Sequence, residues 1–368
     1  MRKLLFLGVL QLLSVVVQAQ EKLHITGNIE GIDNETKLRL SGEGAAQEFY
    51  LKDGKIDVSM TLQEAPSFVY LYVFKNDGIK RTSFFLGNEE VTLQGSINDF
   101  GGNLKAIGSS NDALRYEYFL LTKKFKDEMN QIYLDMKRLD EEGVLTDSIK
   151  QQAIEKYNGI EDQMAQKEFG FILNNINSDY GRSLLRFTTG NYSIEQFKVL
   201  LDAVKPEFID KKEVQYLKAL AESTPLELGD KYYDFKAKDV NGNTVKFSEY
   251  FDGKYVMLDF STFNCGFCQE AAPKTAVIAD SLKNQLTYVT FYTESDKKDI
   301  VKYYSELKGN KGILLSQSGN DFLKIIAMYR QDITPNYLLF NPEGKLIKRF
   351  IAMQGSDFQE RIEELISR

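Results

Sequence analysis

The spacing of apolar residues changes twice along the 368-residue chain, and each spacing favours one kind of regular structure. From Leu23 to Ile107 apolar residues alternate with polar ones, which is typical of β-strands with one buried face. From Asn111 they recur every three or four residues, as in an amphipathic helix. After Ser223 short apolar runs alternate with helical stretches. The sequence therefore predicts an antiparallel β domain over residues 20–108, a helical section over 109–224 and an α/β domain over 225–368.

The N-terminus has the pattern of a secretory signal. Arg2 and Lys3 precede an apolar stretch that ends at Val17, and the small residue Ala19 suits cleavage before Gln20. The stretch is shorter than the roughly 18 apolar residues of a spanning helix. We therefore expect residues 1–19 to be a signal peptide and the mature protein to be soluble in the periplasm or cell envelope. The formal charge of −7 becomes more negative without this segment, which disfavours nucleic acid as a partner.

Cys265 and Cys268 are the only cysteines in the chain, and they stand three residues apart just after an apolar run that ends at Phe260. If that run is a strand leading into a helix, Cys265 lies at the positive helix end, which favours the thiolate. Cys265 can then attack a disulfide, and Cys268 can attack the resulting mixed disulfide. The only histidine, His24, is far away in sequence, so no metal or cofactor site is predicted.

The order of elements around the cysteines also constrains the fold. A strand over Tyr255 to Phe260, a helix to about Lys283 and a strand over Leu286 to Tyr292 form a β-α-β unit with parallel strands. A helix near Lys297 to Leu307 is predicted next. Later elements include a hairpin whose strands are Tyr337 to Phe340 and Leu346 to Ile351, and a final helix.

This order resembles the thioredoxin fold of exported TlpA/ResA-like thiol-disulfide oxidoreductases, which are related to the AhpC/TSA superfamily. The resemblance covers residues from about Leu228 to the end of the chain. It depends on the CxxC motif, on Asp259 six residues before Cys265, on Pro273 five after Cys268, and on Thr334-Pro335 before a strand. The preceding β domain and helical section resemble the N-terminal extension of many such proteins.

The resemblance implies roles for several residues. Asp259 would be a buried proton acceptor that deprotonates Cys268, although a structural, hydrogen-bonded aspartate is the alternative. Pro335 would be a cis-proline, and the Thr334 backbone would pair with an extended substrate segment. Substrate contacts are also expected at Gly266 and Phe267. Implied partners are protein disulfide or dithiol clients and a membrane electron-donor protein.

The motif also departs from the family. Asn264 stands where thioredoxins commonly have tryptophan, and the chain contains no tryptophan. Phe267 replaces the proline or histidine common between the cysteines. Ala271 occupies the place of a glutamate found in some ResA-type reductases, while Glu270 is shifted by one position. The surface that recognises clients is therefore expected to differ from that of a general thioredoxin.

Other interpretations remain open at this point. A thiol peroxidase is one, because Thr262 lies three residues before Cys265 as in peroxiredoxins, although Leu258 stands where that motif has proline. A non-catalytic envelope binding module with a static disulfide is another. The apolar stripe of the helical section indicates either buried core or self-association.

Overall fold

The computed structural model describes residues 22–188, 190, 192–262, 265–293, 312–331, 333–351 and 357–367. The chain forms two compact units, one up to Ile160 and one from Glu161 onward. The signal segment and the helix predicted near Lys297 to Leu307 lie outside the described residues. The exact boundaries predicted between the β, helical and α/β parts stay a prediction.

The described part of the first unit, from residue 22 onward, contains eight strands. They are β1 (Leu23–Glu30), β2 (Lys37–Gly42), β3 (Ala45–Phe49), β4 (Ile56–Met60), β5 (Ser67–Lys75), β6 (Gly78–Leu86), β7 (Glu90–Ser96) and β8 (Ala106–Ile107). They form two four-stranded sheets, ordered β4-β1-β7-β8 and β3-β2-β5-β6. All strand pairs in these sheets are antiparallel except β1 with β7, which is parallel. The predicted antiparallel β domain is therefore confirmed. The single parallel pair could not be predicted, because local alternation does not specify which distant strands become neighbours.

The two sheets enclose one apolar core, and the alternation along each strand decides which residues enter it. In β4, Ile56, Val58 and Met60 are buried whereas Asp57 and Ser59 between them are exposed. Both sheets contribute to the core, one with Leu38, Leu40, Val69 and Leu71 and the other with Leu23, Ile25, Val91 and Leu93. The strand pattern predicted from the sequence is therefore present in the structure.

A buried ion pair fixes the start of helix α1 (Ser110–Glu141) against this β structure. The Asp112 carboxylate accepts hydrogen bonds from the backbone N–H groups of Phe85 and Ala106 at 3.2 and 2.7 Å. Arg115 donates to that carboxylate at 2.5 Å and to the carbonyl oxygens of Gly102 and Leu104 at 3.0 and 2.7 Å. Both charges are thus compensated inside the unit, as buried charges require.

The apolar stripe of α1 is less buried than its period suggests. Of the stripe residues, Ile132 is buried, whereas Leu121, Phe125 and Met129 are half-buried. Tyr133, beside the stripe, is 61% exposed. Helix α2 (Asp147–Asn175) follows α1. Among the described residues, every helix is too short or too polar to cross a membrane.

The second unit combines helices with one large sheet. Its further helices are α3 (Asp179–Ser183), α4 (Leu185–Thr188), α5 (Ile194–Asp202), α6 (Lys212–Glu222), α7 (Gly266–Ser281), α8 (Gly319–Met328) and α9 (Phe358–Ile366). Its strands are β9 (Lys236–Asp239), β10 (Thr244–Lys246), β11 (Tyr255–Ser261), β12 (Leu286–Tyr292), β13 (Ile313–Ser316), β14 (Asn336–Phe340) and β15 (Leu346–Ile351).

The seven strands are ordered β10-β9-β13-β12-β11-β14-β15, so β11 lies inside the sheet. Strands β11, β12 and β13 are parallel, while β14 pairs antiparallel with β11 and with β15. The β11-α7-β12 crossover and the β14-β15 hairpin are the elements that the sequence predicts. The C-terminal part of the chain is therefore an α/β domain with the thioredoxin fold.

Both faces of this sheet are covered, and β11 contributes to both. Val256, Leu258 and Phe260 enter an aromatic-rich core on one face. Met257 enters the core on the other face, together with Ile278 of α7. Because side chains alternate along a strand, Asp259 shares the face of Met257 and points toward α7. The strand thus places a carboxylate beneath the helix that carries both cysteines.

Helices α5 and α6 belong to the same unit as this domain. Helix α5 packs on α6, and α6 packs on α8. Just after α8, Arg330 has a left-handed backbone with a φ of 48°, and its guanidinium lies 5.1 Å from the centre of the Phe197 ring of α5. The end of α8 is therefore held by contacts from α5.

We predict that Asp112→Ala lowers the free energy of unfolding by roughly 3–5 kcal/mol, because it leaves the Arg115 guanidinium buried without its counter-charge. The matched control is Lys123→Ala, which breaks an ion pair with Asp127 between side chains 41% and 63% exposed. That change should cost less than about 1 kcal/mol. Urea unfolding of the two variants measures the difference, and equal losses would contradict a structural role for the buried pair.

Candidate functional site

Cys265 lies at the junction of β11 and α7, where it is the N-cap residue of the helix. Its Sγ accepts a hydrogen bond from the backbone N–H of Cys268 at 3.2 Å. Its own N–H donates to the carbonyl oxygen of Thr262 at 3.3 Å. A negative charge on this sulfur would be stabilised by the first N–H groups of a 16-residue helix. The structure therefore places Cys265 where the sequence predicts it.

The loop before β14 lies next to Cys265. The Thr334–Pro335 peptide bond is cis, as predicted. The thiol of Cys265 donates to the carbonyl oxygen of Thr334 at 3.6 Å. Cys265 and Thr334 are half-buried, whereas Pro335 is buried. The structure thus brings together the predicted attacking cysteine and the predicted substrate-binding loop.

Cys268 has a different environment from Cys265. It lies one helical turn further into α7 and is 4% exposed. Burial is the main cause that raises the pKa of its thiol to about 11, and a hydrogen bond with Cys265 adds to the shift. Hydrogen bonds with Thr262, Thr334 and Ser261 act in the opposite direction. At neutral pH Cys268 is therefore a thiol, which needs a proton acceptor before it can act as a nucleophile.

Asp259 is the buried acid on the same side of the sheet, with 6% of its surface exposed. Burial raises the pKa of its carboxyl group to about 7, although a hydrogen bond from Tyr288 lowers it. The Tyr288 hydroxyl donates to Oδ2 of Asp259 at 3.0 Å. Oδ1 is buried and has no hydrogen-bond partner in the described part of the chain. This carboxyl group can therefore gain or lose a proton near neutral pH.

One small cavity connects Asp259 with Cys268. Both residues line a space of about 30 Å³ beneath α7. That volume is enough for one or two water molecules, each of which needs roughly 10–15 Å³. The α7 side of the cavity is formed largely by small side chains, namely Ala271, Ala272, Ala276 and Ala279. The cavity offers a route along which a water could carry a proton between the buried thiol and the buried carboxyl group.

Apolar side chains are exposed around the half-buried sulfur of Cys265. Gly266 is exposed, and Phe267, which follows it, is 75% exposed. On the other side, Ile333 directly precedes Thr334 and is 52% exposed. Exposed side chains this large, next to a reactive group, are suited to contact with another molecule.

Sequence reasoning missed Tyr288, Tyr337 and Ile333. Tyr288 and Tyr337 line the cavity, on β12 and β14 respectively. Ile333 belongs to the exposed surface. A signal for Tyr288 does exist in the sequence, because two tyrosines and two threonines occur among the seven residues from Leu286 to Tyr292, in a segment that is otherwise apolar. Asn264, the predicted departure from the family, lies outside the described residues.

The described residues contain no cluster of three or more histidine, cysteine or acidic side chains that could hold a metal ion. Pro273 lies inside α7, and Glu270 is an exposed residue whose carboxylate is 3.7 Å from the ammonium group of Lys274. Pro273 is therefore an interior residue of the helix, and Glu270 lies on the helix surface.

Comparison with known proteins identifies two segments of the chain. Residues 228–349 match the AhpC/TSA family, and residues 23–114 match a domain of unknown function, DUF4369. A search of curated proteins gave no match.

Similar solved structures include three from Bacteroides. The thioredoxin domain of a thiol-disulfide oxidoreductase from Bacteroides vulgatus is 24% identical and covers 38% of this chain and 99% of its own, with a TM-score of 0.35. A thiol:disulfide interchange protein from Bacteroides sp. is 24% identical and covers 39% of this chain and 92% of its own, with a TM-score of 0.36. A thioredoxin-like protein from Bacteroides caccae is 20% identical and covers 60% of this chain and 83% of its own, with a TM-score of 0.35. The C-terminal part of this chain is a thioredoxin-fold domain whose residues 228–349 match the AhpC/TSA family.

Proposed function

We propose that the protein is an exported thiol-disulfide oxidoreductase that reduces disulfides in client proteins. The observation that carries this proposal is the unequal placement of the two sulfurs. Cys265 is half-buried at a helix N-terminus, while Cys268 is buried beside a cavity that also reaches Asp259. This arrangement suits a two-step exchange in which one sulfur captures the client and the other releases it.

In the first step, the thiolate of Cys265 attacks one sulfur of a client disulfide. A new S–S bond joins Cys265 to the client, and the other client sulfur leaves as a thiolate. The backbone N–H of Cys268, 3.2 Å from Sγ of Cys265, favours negative charge on the attacking sulfur. Because Cys268 is 4% exposed, the client is expected to meet Cys265 first.

In the second step, Cys268 loses its proton and attacks Sγ of Cys265. The client leaves as a thiolate, and the two protein cysteines become a disulfide, so two electrons have moved to the client. The pKa of about 11 means that Cys268 needs a base, and the carboxyl group with a pKa of about 7 is suited to that task. Asp259 would receive the proton through a water in the shared cavity.

Client recognition would use the surface around Cys265. The Thr334 backbone before the cis-proline would pair with an extended client segment, which recognises many sequences through the same hydrogen bonds. Gly266 leaves this approach open, and Phe267, 75% exposed, would add apolar contact. A membrane protein carrying a dithiol would then return the pair to the reduced state.

Peroxide reduction stays the alternative enzyme prediction, and a static disulfide in a binding module stays the non-enzymatic one. Consumption of hydrogen peroxide by the purified protein would support the first. A pair that stays oxidised in the presence of dithiols would support the second.

We predict that Cys268→Ser accumulates a mixed disulfide on Cys265 when the reduced variant is mixed with insulin, because the client cannot be released. Cys265→Ser is the matched control and should accumulate almost none, since the remaining sulfur is buried. Mass spectrometry under non-reducing conditions identifies the linked cysteine. Equal trapping by both variants, or trapping by neither, would contradict the assigned roles.

We predict that Phe267→Ser raises the KM for a disulfide-linked peptide with leucines beside its cysteines by about tenfold, because an apolar contact is lost. The matched control is Val277→Ser, which removes a side chain that is 62% exposed on the same helix, three turns away. Thermal unfolding should change little in either variant. The same KM in both would exclude Phe267 from client binding.

We predict that the stability difference between Asp259→Asn and the wild type depends on pH. The folded protein holds the Asp259 proton up to a pKa of about 7, against 3.8 for an ordinary aspartate. The wild type therefore loses stability relative to the variant as pH rises from 4 to 7, by about 4 kcal/mol at most. Urea unfolding between pH 4 and 8 tests this, with the exposed Asp280→Asn as control. A difference that stays constant with pH would refute a raised pKa.

A further inference from the structure

Tyr288 is a buried tyrosine whose hydroxyl group contacts the proposed proton acceptor. It lies in the middle of β12, next to β11 in the sheet, and it is 4% exposed. Its hydroxyl donates to Oδ2 of Asp259 at 3.0 Å. The buried hydroxyl is expected to hold the Asp259 carboxyl group in one orientation, because loss of the hydrogen bond would leave both polar groups unsatisfied.

The two oxygens of Asp259 are therefore not equivalent. Oδ2 accepts the hydrogen bond from Tyr288, whereas Oδ1 has no partner among the described residues. The carboxyl group lines the same cavity as Cys268. An unpartnered buried oxygen beside a cavity of water size is the atom best placed to take up a proton that a water delivers.

The groups that face Asp259 are neutral or are the cysteines themselves. From β12 there is Tyr288, from β14 there is Tyr337, and from α7 there is Cys268 with Cys265 beyond it. Tyr292, also on β12, lines the same cavity. No lysine or arginine forms an ion pair with Asp259 within the described ranges. The carboxyl group is thus held by a neutral donor.

We propose that Tyr288 is a positioning residue for proton transfer, whose hydroxyl holds Oδ2 of Asp259 and so leaves Oδ1 to accept the proton of Cys268. This inference depends on the proposed dithiol function and adds to it a residue that acts through Asp259, to which its hydroxyl donates. The neutrality of the donor matters. A cation at this place would keep the carboxylate ionised. A hydroxyl orients the carboxyl group but does not cancel the increase in its pKa that burial causes.

The ionisation behaviour of Tyr288 agrees with this role. Burial, followed by the charge of Asp259, raises the pKa of its hydroxyl well above 10. Tyr288 therefore stays protonated and remains a donor throughout the pH range in which Asp259 titrates. Thr275 of α7 lines the same cavity as Tyr288, and its hydroxyl donates to the carbonyl oxygen of Ala272 at 3.1 Å.

The test is the pH profile of the resolving step. Attack of the Cys265 thiolate on the reagent DTNB breaks its S–S bond, releases a first coloured thionitrobenzoate and leaves the second half joined to Cys265. Attack by Cys268 on Sγ of Cys265 then releases the second thionitrobenzoate, and stopped-flow absorbance records this second phase between pH 5 and 9. Tyr288→Phe removes the hydroxyl and keeps the ring. In the wild type this hydrogen bond stabilises the charged carboxylate. Without it, the midpoint of the profile should move up by about one pH unit.

A second variant keeps the hydroxyl. Incorporation of 3-fluorotyrosine at position 288 gives a stronger donor with almost the same shape, and the midpoint should then move down. The matched control is Tyr329→Phe, which removes another buried hydroxyl that donates to the carbonyl oxygen of Tyr233 at 2.6 Å, in the core on the other face of the sheet. It should lower stability and leave the midpoint where it is in the wild type.

The outcomes separate the two proposals. A second release of thionitrobenzoate that is as fast in Cys268→Ser as in the wild type would overturn the proposed function itself. A second release that needs Cys268, and whose rate in Asp259→Asn no longer changes with pH around the wild-type midpoint, supports that function. If Tyr288→Phe and the fluorinated protein then keep the wild-type midpoint, the inference about Tyr288 is wrong while the proposed function stands.

Discussion

The structure of the C-terminal domain depends on one strand being buried on both faces. Strand β11 has β12 on one side, β14 on the other, and an apolar core above and below. A strand in that position must be almost wholly apolar, and Asp259 is the one charged residue in β11. Burial disfavours the charged carboxylate, and no ion pair offsets this among the described residues. The pKa of the carboxyl group is therefore raised to about 7.

Strand β11 also fixes the geometry of the cysteines. It ends at Ser261, and the chain then enters α7 with Cys265 as the first capping residue. Because α7 packs on the same face of the sheet that carries Asp259, the second cysteine is turned inward over the carboxyl group. One rigid strand thus sets the position of the acid and of the helix end together. A shift of the strand by one residue would move the carboxylate into the opposite core.

Much of this could be predicted from the sequence, because the relevant signals are local. The period of apolar residues identified β12 and β15 with their observed limits, and the CxxC motif after an apolar run identified the β11-α7 junction. The parallel pairing of β1 with β7 could not be predicted, since partners about 65 residues apart are chosen by the whole core. Likewise, the period of α1 showed which residues share a face, but the burial of that face depends on what packs against it.

The hydrogen bond of Tyr288 is a second feature that could not be predicted from the sequence. Its sequence neighbours mark it as a polar interruption in a buried strand, yet its partner lies 29 residues earlier. Only the alignment of β12 against β11 brings the hydroxyl to the carboxyl group. The phenol ring can be predicted to be inside, but its hydrogen bond cannot be predicted without the register.

The different exposure of the two sulfurs has a consequence for the order of events. A large molecule that approaches from solvent reaches the sulfur at the helix end before the one beneath it. In the proposed dithiol cycle, every reaction with a client would therefore begin with a covalent bond to Cys265. The difference in burial alone would then set the order of the two steps, without a conformational change between them.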